Sequence, residues 1–315
     1  MRARNTLSAS KRVTGAAAAI LIALSSSQAR AEQAPPASPI QQAPAAPDAA
    51  PLPNAQKTFE NPDQTGSYWS QGPVRRFVAT SIDVGYLYLR PRLLLGYGRP
   101  FWRAIAFEAG PEVSASQLSG FAGLRATLPY VNLRLGGRYV FAFQHYFIAD
   151  QPKYDRLALE SQAFTRSKYI AGEAELNGTL PVGFGALIAT GNLTYITGVT
   201  AGLNVYEEIL RIIVKPPMVW RGRVGYAFRL GVEGKVSVGV VAEMLGSPGR
   251  DPTVRAGIIG SAALSDHVEV LGWLVPPIVG PDTIGIAGGD FGQLGIRYRA
   301  ATGQAPDRVI VEPGQ

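Results

Sequence analysis

Three features of the sequence predict an all-β fold, a single antiparallel transmembrane β-barrel of about twelve strands. Apolar and polar residues alternate with period two through most of residues 74–301. Several alternating segments hold this pattern for about 12 residues, whereas soluble strands usually have about 5 to 6 and tilted lipid-spanning strands about 9 to 11. Charges of both signs also fall at mid-strand positions of the polar faces, as in a polar barrel lumen.

The first 31 residues have the layout of a secretory signal peptide. A positively charged start is followed by an apolar, Ala-rich stretch at 13–24 and by the small residues Ala29 and Ala31. That stretch is shorter than the roughly 20 residues a membrane-spanning helix needs, which argues against an uncleaved anchor. We therefore expect export and cleavage after Ala31. The positive charges are carried by Arg2, Arg4, Lys11 and Arg12.

The mature chain is close to neutral. The full chain has 30 basic and 23 acidic residues, but five of the basic residues lie in the signal peptide. No clustered basic face remains, so we expect no nucleic-acid partner. Cysteine is absent, which excludes disulfides, a lipoprotein anchor and thiolate chemistry. With two histidines in the chain, neither a metal site nor a cofactor is predicted.

Composition divides the mature chain into three parts. Residues 32–55 are dominated by Ala, Pro and Gln and lack the apolar bulk that offsets ordering entropy, and the residues after them are mixed and polar. We therefore predict a disordered linker over residues 32–73. Residues 74–301 carry the alternating pattern of the barrel, and 302–315 form a polar tail.

The clearest predicted hairpin covers residues 218–244. Apolar side chains recur on one face of each half, and charged side chains recur on the other. We expect an outward-facing apolar belt that includes Leu133, Phe141, Trp220, Val224, Phe228, Val236 and Val240.

The alternation gives about twelve strands, with ten and fourteen left open. Residues 204–215 would also suit a short amphipathic helix. If residue 82 begins the first strand, the long connection 148–167 falls on the periplasmic side, unless an extra strand starts near Phe77. The predicted strands are 82–97, 102–115, 119–129, 131–147, 168–180, 184–197, 203–214, 218–230, 232–245, 253–264, 267–275 and 289–300.

Charged residues on the polar strand faces are the candidate site residues, because these faces line the lumen of such a barrel. A hairpin turn centred at residue 100 would place Arg92 opposite Glu108. No catalytic residue is predicted. The predicted lumen-facing residues are Arg90, Arg92, Glu108, Glu112, Arg134, Arg138, Glu173, Glu175, Arg221, Arg223, Arg229, Glu233, Glu243 and Arg297.

The last predicted strand resembles the final-strand insertion signal of Gram-negative outer-membrane β-barrel proteins. Gly295 and Tyr298 occupy the glycine and first aromatic positions of that signal, whereas Ala300 departs from its last aromatic position. The resemblance implies a location in the outer membrane, with outer-membrane lipid and the barrel-assembly machinery as partners. Aromatic residues near strand ends would form the interfacial girdles of this class: Trp102, Tyr130, Tyr146, Phe147, Tyr169, Tyr195 and Trp220.

Three functions fit this pattern. The first is a non-enzymatic outer-membrane barrel, either a small-solute channel or a structural membrane protein. The second is an outer-membrane lipid-modifying enzyme, for which His267 is the only candidate base; His145 falls on the apolar strand face and is interpreted as a girdle residue. The third is a secreted soluble β-barrel that binds a ligand.

Overall fold

A computed structural model describes residues 68–86, 88–231, 235–284 and 292–303. Twelve strands carry the alternating pattern: β1 (Arg75–Gly85), β2 (Tyr88–Arg99), β3 (Arg103–Ser114), β4 (Gln117–Thr127), β5 (Val131–Tyr146), β7 (Arg166–Val182), β8 (Gly185–Thr197), β11 (Met218–Leu230), β12 (Val236–Gly246), β13 (Thr253–Ala263), β14 (Val268–Leu274) and β16 (Gln293–Ala301). The shorter elements are β6 (Ile148–Ala149), β9 (Leu203–Glu207), β10 (Ile212–Val214), β15 (Pro277–Val279), helix α1 (Arg156–Glu160) and a 3₁₀ turn, Tyr68–Ser70. None of the described helices is long and apolar enough to cross a membrane.

The twelve strands close into one antiparallel barrel. Each strand pairs with its neighbours in chain order, β12 pairs with β13, and the ring closes where β1 pairs with β16. The all-β class and the count of twelve are confirmed.

The predicted first strand, 82–97, was wrong. It spans the end of β1, the turn after Gly85 and most of β2, and the barrel begins earlier, at Arg75. The turn was missed because Gly85 is followed by Tyr86 and Leu87 rather than by Asn, Asp or Pro, so the apolar pattern is not interrupted.

The prediction of a barrel strand at 203–214 was also wrong. These residues form β9 and β10, a hairpin that joins β6 in a separate three-stranded sheet. Val205 and Val214 pack against residues of the barrel strands, whereas Tyr206 and Ile213 pack against Leu159 of α1 and its neighbours. Because both faces of this hairpin are buried, its residues are apolar on both sides and show no clear alternation.

The ends of the barrel differ. The four longest connections, 147–165, 198–217, 247–252 and 275–292, lie at one end, which we call the long-loop end. The opposite, short-turn end holds the first residue of β1 and the last residue of β16. The additional strand β1 thus places the 148–167 connection with the other long loops.

The exterior of the barrel is apolar and the interior is charged. Val224 is 61% exposed on the outer face, whereas Glu108 is 1% exposed on the inner face. A soluble barrel would have the opposite arrangement.

Two of the aromatic residues assigned to the girdles are corrected: Phe147 and Tyr169 are buried and pack against the β9–β10 hairpin.

The predicted register between β2 and β3 was wrong by two residues. Glu108 lies opposite Leu94 rather than opposite Arg92. The turn contains three residues, and Phe101 has a φ of 59°, in the left-handed region that a bulky residue rarely adopts. The sequence gives no sign of this conformation, and Pro100 had suggested the centre of the turn.

The slip of two residues keeps each side chain on its predicted face and changes its partner. Arg90 is the β2 arginine that pairs with β3, with its Nε 2.7 Å from a Glu112 carboxylate oxygen. Arg92 instead forms an ion pair with Asp83 of β1.

Candidate functional site

Two polar cavities meet inside the barrel. The upper cavity, about 350 Å³, is bounded by the β9–β10 connection near the long-loop end. The lower cavity, about 430 Å³, reaches Phe101, Thr127 and Asn132 near the short-turn end. Both cavities are lined by the same six residues at their junction: Arg90, Arg92, Glu108, Arg134, Glu175 and Arg297.

Glu207, at the end of β9, attaches the hairpin to the barrel wall. Its carboxylate accepts hydrogen bonds from Arg138 Nη2 at 2.9 Å and from the Tyr169 hydroxyl at 2.8 Å. Arg138 of β5 also donates to Glu173 of β7 at 2.5 Å. All four side chains are almost fully buried, so this attachment depends on each charge having a partner.

Arg255 of β13 holds the other side of the hairpin. Its guanidinium donates to the backbone carbonyls of Leu210 and Arg211, each at 2.9 Å, and lies 3.3 Å from the buried Glu243 carboxylate. Arg211 has a φ of 52°, so the tip of the hairpin is a tight turn.

The hairpin crosses the lumen. Glu207 is bonded to β5 and β7, whereas Arg211 lines a cavity with Trp273 of β14 and Gln293 of β16. In the order of paired strands, β5 and β14 lie six strands apart in a ring of twelve, on opposite sides. The hairpin therefore narrows the interior near the long-loop end.

His145 faces this hairpin, and its assignment to an aromatic girdle was wrong. Its Nε2 lies 3.7 Å from a Glu208 carboxylate oxygen, and its ring lies 4.6 Å from the Tyr206 ring. The backbone NH groups of Phe143 and Gln144 both donate to the carbonyl of Ser116. This irregularity interrupts the alternation, so His145 turns inward. Burial raises the pKa of Glu208.

Carboxylates in the lower half of the barrel are shared between arginines. Glu108 forms ion pairs with Arg125 and, at 3.2 Å, with Arg134. Asp83 pairs with Arg92 and, at 2.8 Å, with Arg297.

The carboxylate of Glu269 is also shared between two arginines: it lies 2.9 Å from Arg299 and 3.7 Å from Arg297.

The long loops are held together by a second polar cluster. Arg250 donates to Asp282 at 2.6 Å and stacks over the Tyr154 ring at 4.5 Å, and the backbone NH of Tyr154 donates to Asp282 at 3.1 Å. Burial raises the pKa of Asp282, and the positive charge of Arg250 reduces this increase. Hydrogen bonds from Lys215 and Asn204 lower the pKa of the exposed Asp150.

Most of the predicted lumen-facing residues lie at these cavities. Glu243 is buried between Arg223 and Arg255. Arg229 is exposed near the short-turn end of β11. Glu233 lies outside the described residues. The predicted residues that line a cavity are Arg90, Arg92, Glu108, Glu112, Arg134, Arg138, Glu173, Glu175, Arg221, Arg223 and Arg297.

Several charged residues of the interior were not among the candidates. Those on the barrel strands share the polar face of their strand, so the alternation could have identified them: Asp83, Arg125, Arg255, Glu269 and Arg299. Glu207 and Glu208 could not be found this way, because nothing local shows that their segment turns into the lumen.

His267, the candidate base, lies in the turn between β13 and β14. Its Nδ1 is 2.7 Å from the carbonyl oxygen of Arg299, and its ring packs against Tyr68 and Trp69. The Ser265 hydroxyl accepts the backbone NH of His267 at 3.2 Å, which stabilises the turn. No group of three metal-ligating side chains occurs among the described residues.

No protein-family model matches the chain. No curated protein matches it either. Among solved structures, a porin refined at 1.8 Å is 11% identical, over 67% of this chain and 62% of that one, with a TM-score of 0.32. The NanC porin is 7% identical, over 72% and 98%, with a TM-score of 0.33. A loop L8 deletion mutant of OmpT, an outer membrane protein of Vibrio cholerae, is 8% identical, over 72% and 99%, with a TM-score of 0.31.

The fold of this chain is that of the Gram-negative outer-membrane β-barrels. The closed ring of antiparallel strands, the apolar exterior and the charged interior carry this assignment.

Proposed function

We propose that this protein is a small-solute channel of the Gram-negative outer membrane, exported through a cleaved signal peptide and without catalytic activity of its own. The observation that carries the proposal is the pair of polar cavities that meet inside the barrel. Ionised groups are costly to bury, and charged groups inside membrane proteins mark solute and ion pathways, which favours a channel over a purely structural role.

The β9–β10 hairpin supports a small solute. It crosses the upper part of the lumen from β5 to the side formed by β14 and β16. Arg138 holds it at Glu207, and Arg255 holds it at the Leu210 carbonyl. Solutes pass beside a rigid constriction rather than through an open pore.

The unequal ends of the barrel support an orientation. Long loops of outer-membrane barrels lie outside and short turns lie in the periplasm. We place the long-loop end, with the Arg250 and Asp282 pair, at the cell surface and both chain ends in the periplasm. Outer-membrane lipid then contacts the apolar exterior, and the barrel-assembly machinery inserts the strands.

Ion conduction tests the proposal. The mature protein, refolded in detergent and added to a planar lipid bilayer, is expected to give discrete current steps. The same protein denatured by heat before addition is the control and should give none. Folded barrel that inserts into the bilayer and carries no current would contradict the channel and leave a structural role.

A further inference from the structure

We infer that the lower cavity is a binding site for a small anion that carries carboxylate or phosphate groups. The inference deepens the proposed function, since it names the class of solute that the channel takes. It begins from the lining of this cavity, which has six guanidinium groups and two carboxylates. The guanidinium groups belong to Arg90, Arg92, Arg125, Arg134, Arg297 and Arg299.

The pairing of these arginines does not cancel their effect on the cavity, because the carboxylates are the more deeply buried partners. Glu108 is 1% exposed, whereas its partners Arg125 and Arg134 are 19% and 17% exposed. Asp83 is 3% exposed, whereas its partner Arg297 is 27% exposed. The wall therefore presents more guanidinium than carboxylate surface to the cavity.

The register between β4 and β5 places two arginines side by side in the wall of the lower cavity. Arg125 of β4 lies directly opposite Arg134 of β5. Like charges in this position are destabilising. The carboxylate of Glu108 bridges both arginines, and Arg134 also lies 3.6 Å from a Glu173 carboxylate oxygen. A second anion in the cavity would relieve the remaining repulsion, so its binding is favoured electrostatically.

One guanidinium donor without an acceptor adds to this preference. Arg92 lines both cavities, and its buried Nε has no hydrogen-bond partner among the described residues. Guanidinium groups match carboxylate and phosphate oxygens with two parallel hydrogen bonds. Thr127, Asn132 and Asn177 complete the wall toward the short-turn end with uncharged polar groups.

Two variants change the charge of the lower cavity in opposite directions. Arg299→Gln removes one of its better exposed cations, which is 28% exposed. Glu175→Gln removes one of its two lining carboxylates, which accepts a hydrogen bond from Asn177 at 2.6 Å. Arg103→Gln is the matched control, because Arg103 is exposed at the same end of the barrel and does not line the cavity.

Reversal potentials in a KCl gradient across a planar bilayer test the inference. Wild type and Arg103→Gln should be equally selective for chloride, Arg299→Gln less so, and Glu175→Gln more so. A conducting wild type that prefers potassium, or selectivity that neither lumen variant changes, would overturn the anion site while leaving the channel intact.

Calorimetric titration of inorganic phosphate into the folded protein in detergent gives an answer that does not depend on conduction. Arg299→Gln is expected to weaken binding about tenfold, as loss of a hydrogen bond between charged groups does, and Arg103→Gln should not change it. Equal affinity of wild type and Arg299→Gln would overturn the inference. Phosphate binding without any current would instead support the site and overturn the proposed channel.

Discussion

Val224→Arg is expected to block assembly of the barrel. Val224 is 61% exposed on the outer face of β11, beside Ala189 of β8 and Ala242 of β12. Arginine on the lipid face costs roughly 2 to 4 kcal/mol at the bilayer midplane, and the small neighbouring side chains offer it no polar partner. Assembly is measured as the fraction of protein that migrates as the compact form in unheated gel samples.

The neighbouring residue supplies the control. Arg223 faces inward, where it lies 2.6 Å from Glu243, and Arg255 remains beside that carboxylate when Arg223 is replaced. Arg223→Val should therefore assemble much better than Val224→Arg. The reverse order would mean that the barrel is inside out, as in a soluble protein.

Removing the β9–β10 hairpin is expected to give the largest change in conductance. Replacement of residues 203–214 by a short Gly-Ser linker takes away the segment that crosses the lumen between Glu207 and Arg211. Single-channel conductance should rise several-fold, because the lumen becomes wider where the hairpin crosses it. A conductance equal to that of wild type would show that the hairpin does not lie in the path.

A point variant tests the attachment of the hairpin without shortening the chain. Glu207→Ala leaves Arg138 with Glu173 as its remaining carboxylate, and breaking a buried ion pair costs about 3 to 5 kcal/mol. The hairpin should become mobile, so the single-channel current should fluctuate between levels. Glu160→Ala is the control, because Glu160 forms an exposed pair with Arg156 at the surface, where such pairs contribute little. A steady current in Glu207→Ala would contradict this role.

The sequence was sufficient for the part of the fold that alternation determines. An apolar outer face and a charged inner face repeat every second residue, so the fold class and the face of the charged residues on the barrel strands follow from the pattern. The count of twelve was reached although β1 was missed and 203–214 was counted as a barrel strand, because the two errors offset each other. The ion-pair partners of these residues on neighbouring strands do not follow from the pattern, because a register slip of two residues leaves every side chain on the same face. Arg92 was thus placed on the correct face with Glu108, although its partner is Asp83.

The β9–β10 hairpin was not predicted, for a different reason. Residues 203–214 are buried on both sides, so they lack the alternation that distinguishes inside from outside. Their burial depends on where the 198–217 connection lies relative to the barrel, which is a tertiary property. His145 illustrates the same limit, since the irregularity near Ser116 that turns it inward depends on the strand beside it.

Fractionation of the cells that produce the native protein tests the central claim most directly. A transmembrane barrel with an apolar exterior is expected in the outer-membrane fraction, released by detergent, and to migrate faster in unheated than in heated gel samples. The predicted signal peptide should be absent from the mature N-terminus, which should begin at Glu32. Recovery of the protein in the soluble periplasmic or secreted fraction, with migration unaffected by heating, would contradict the account.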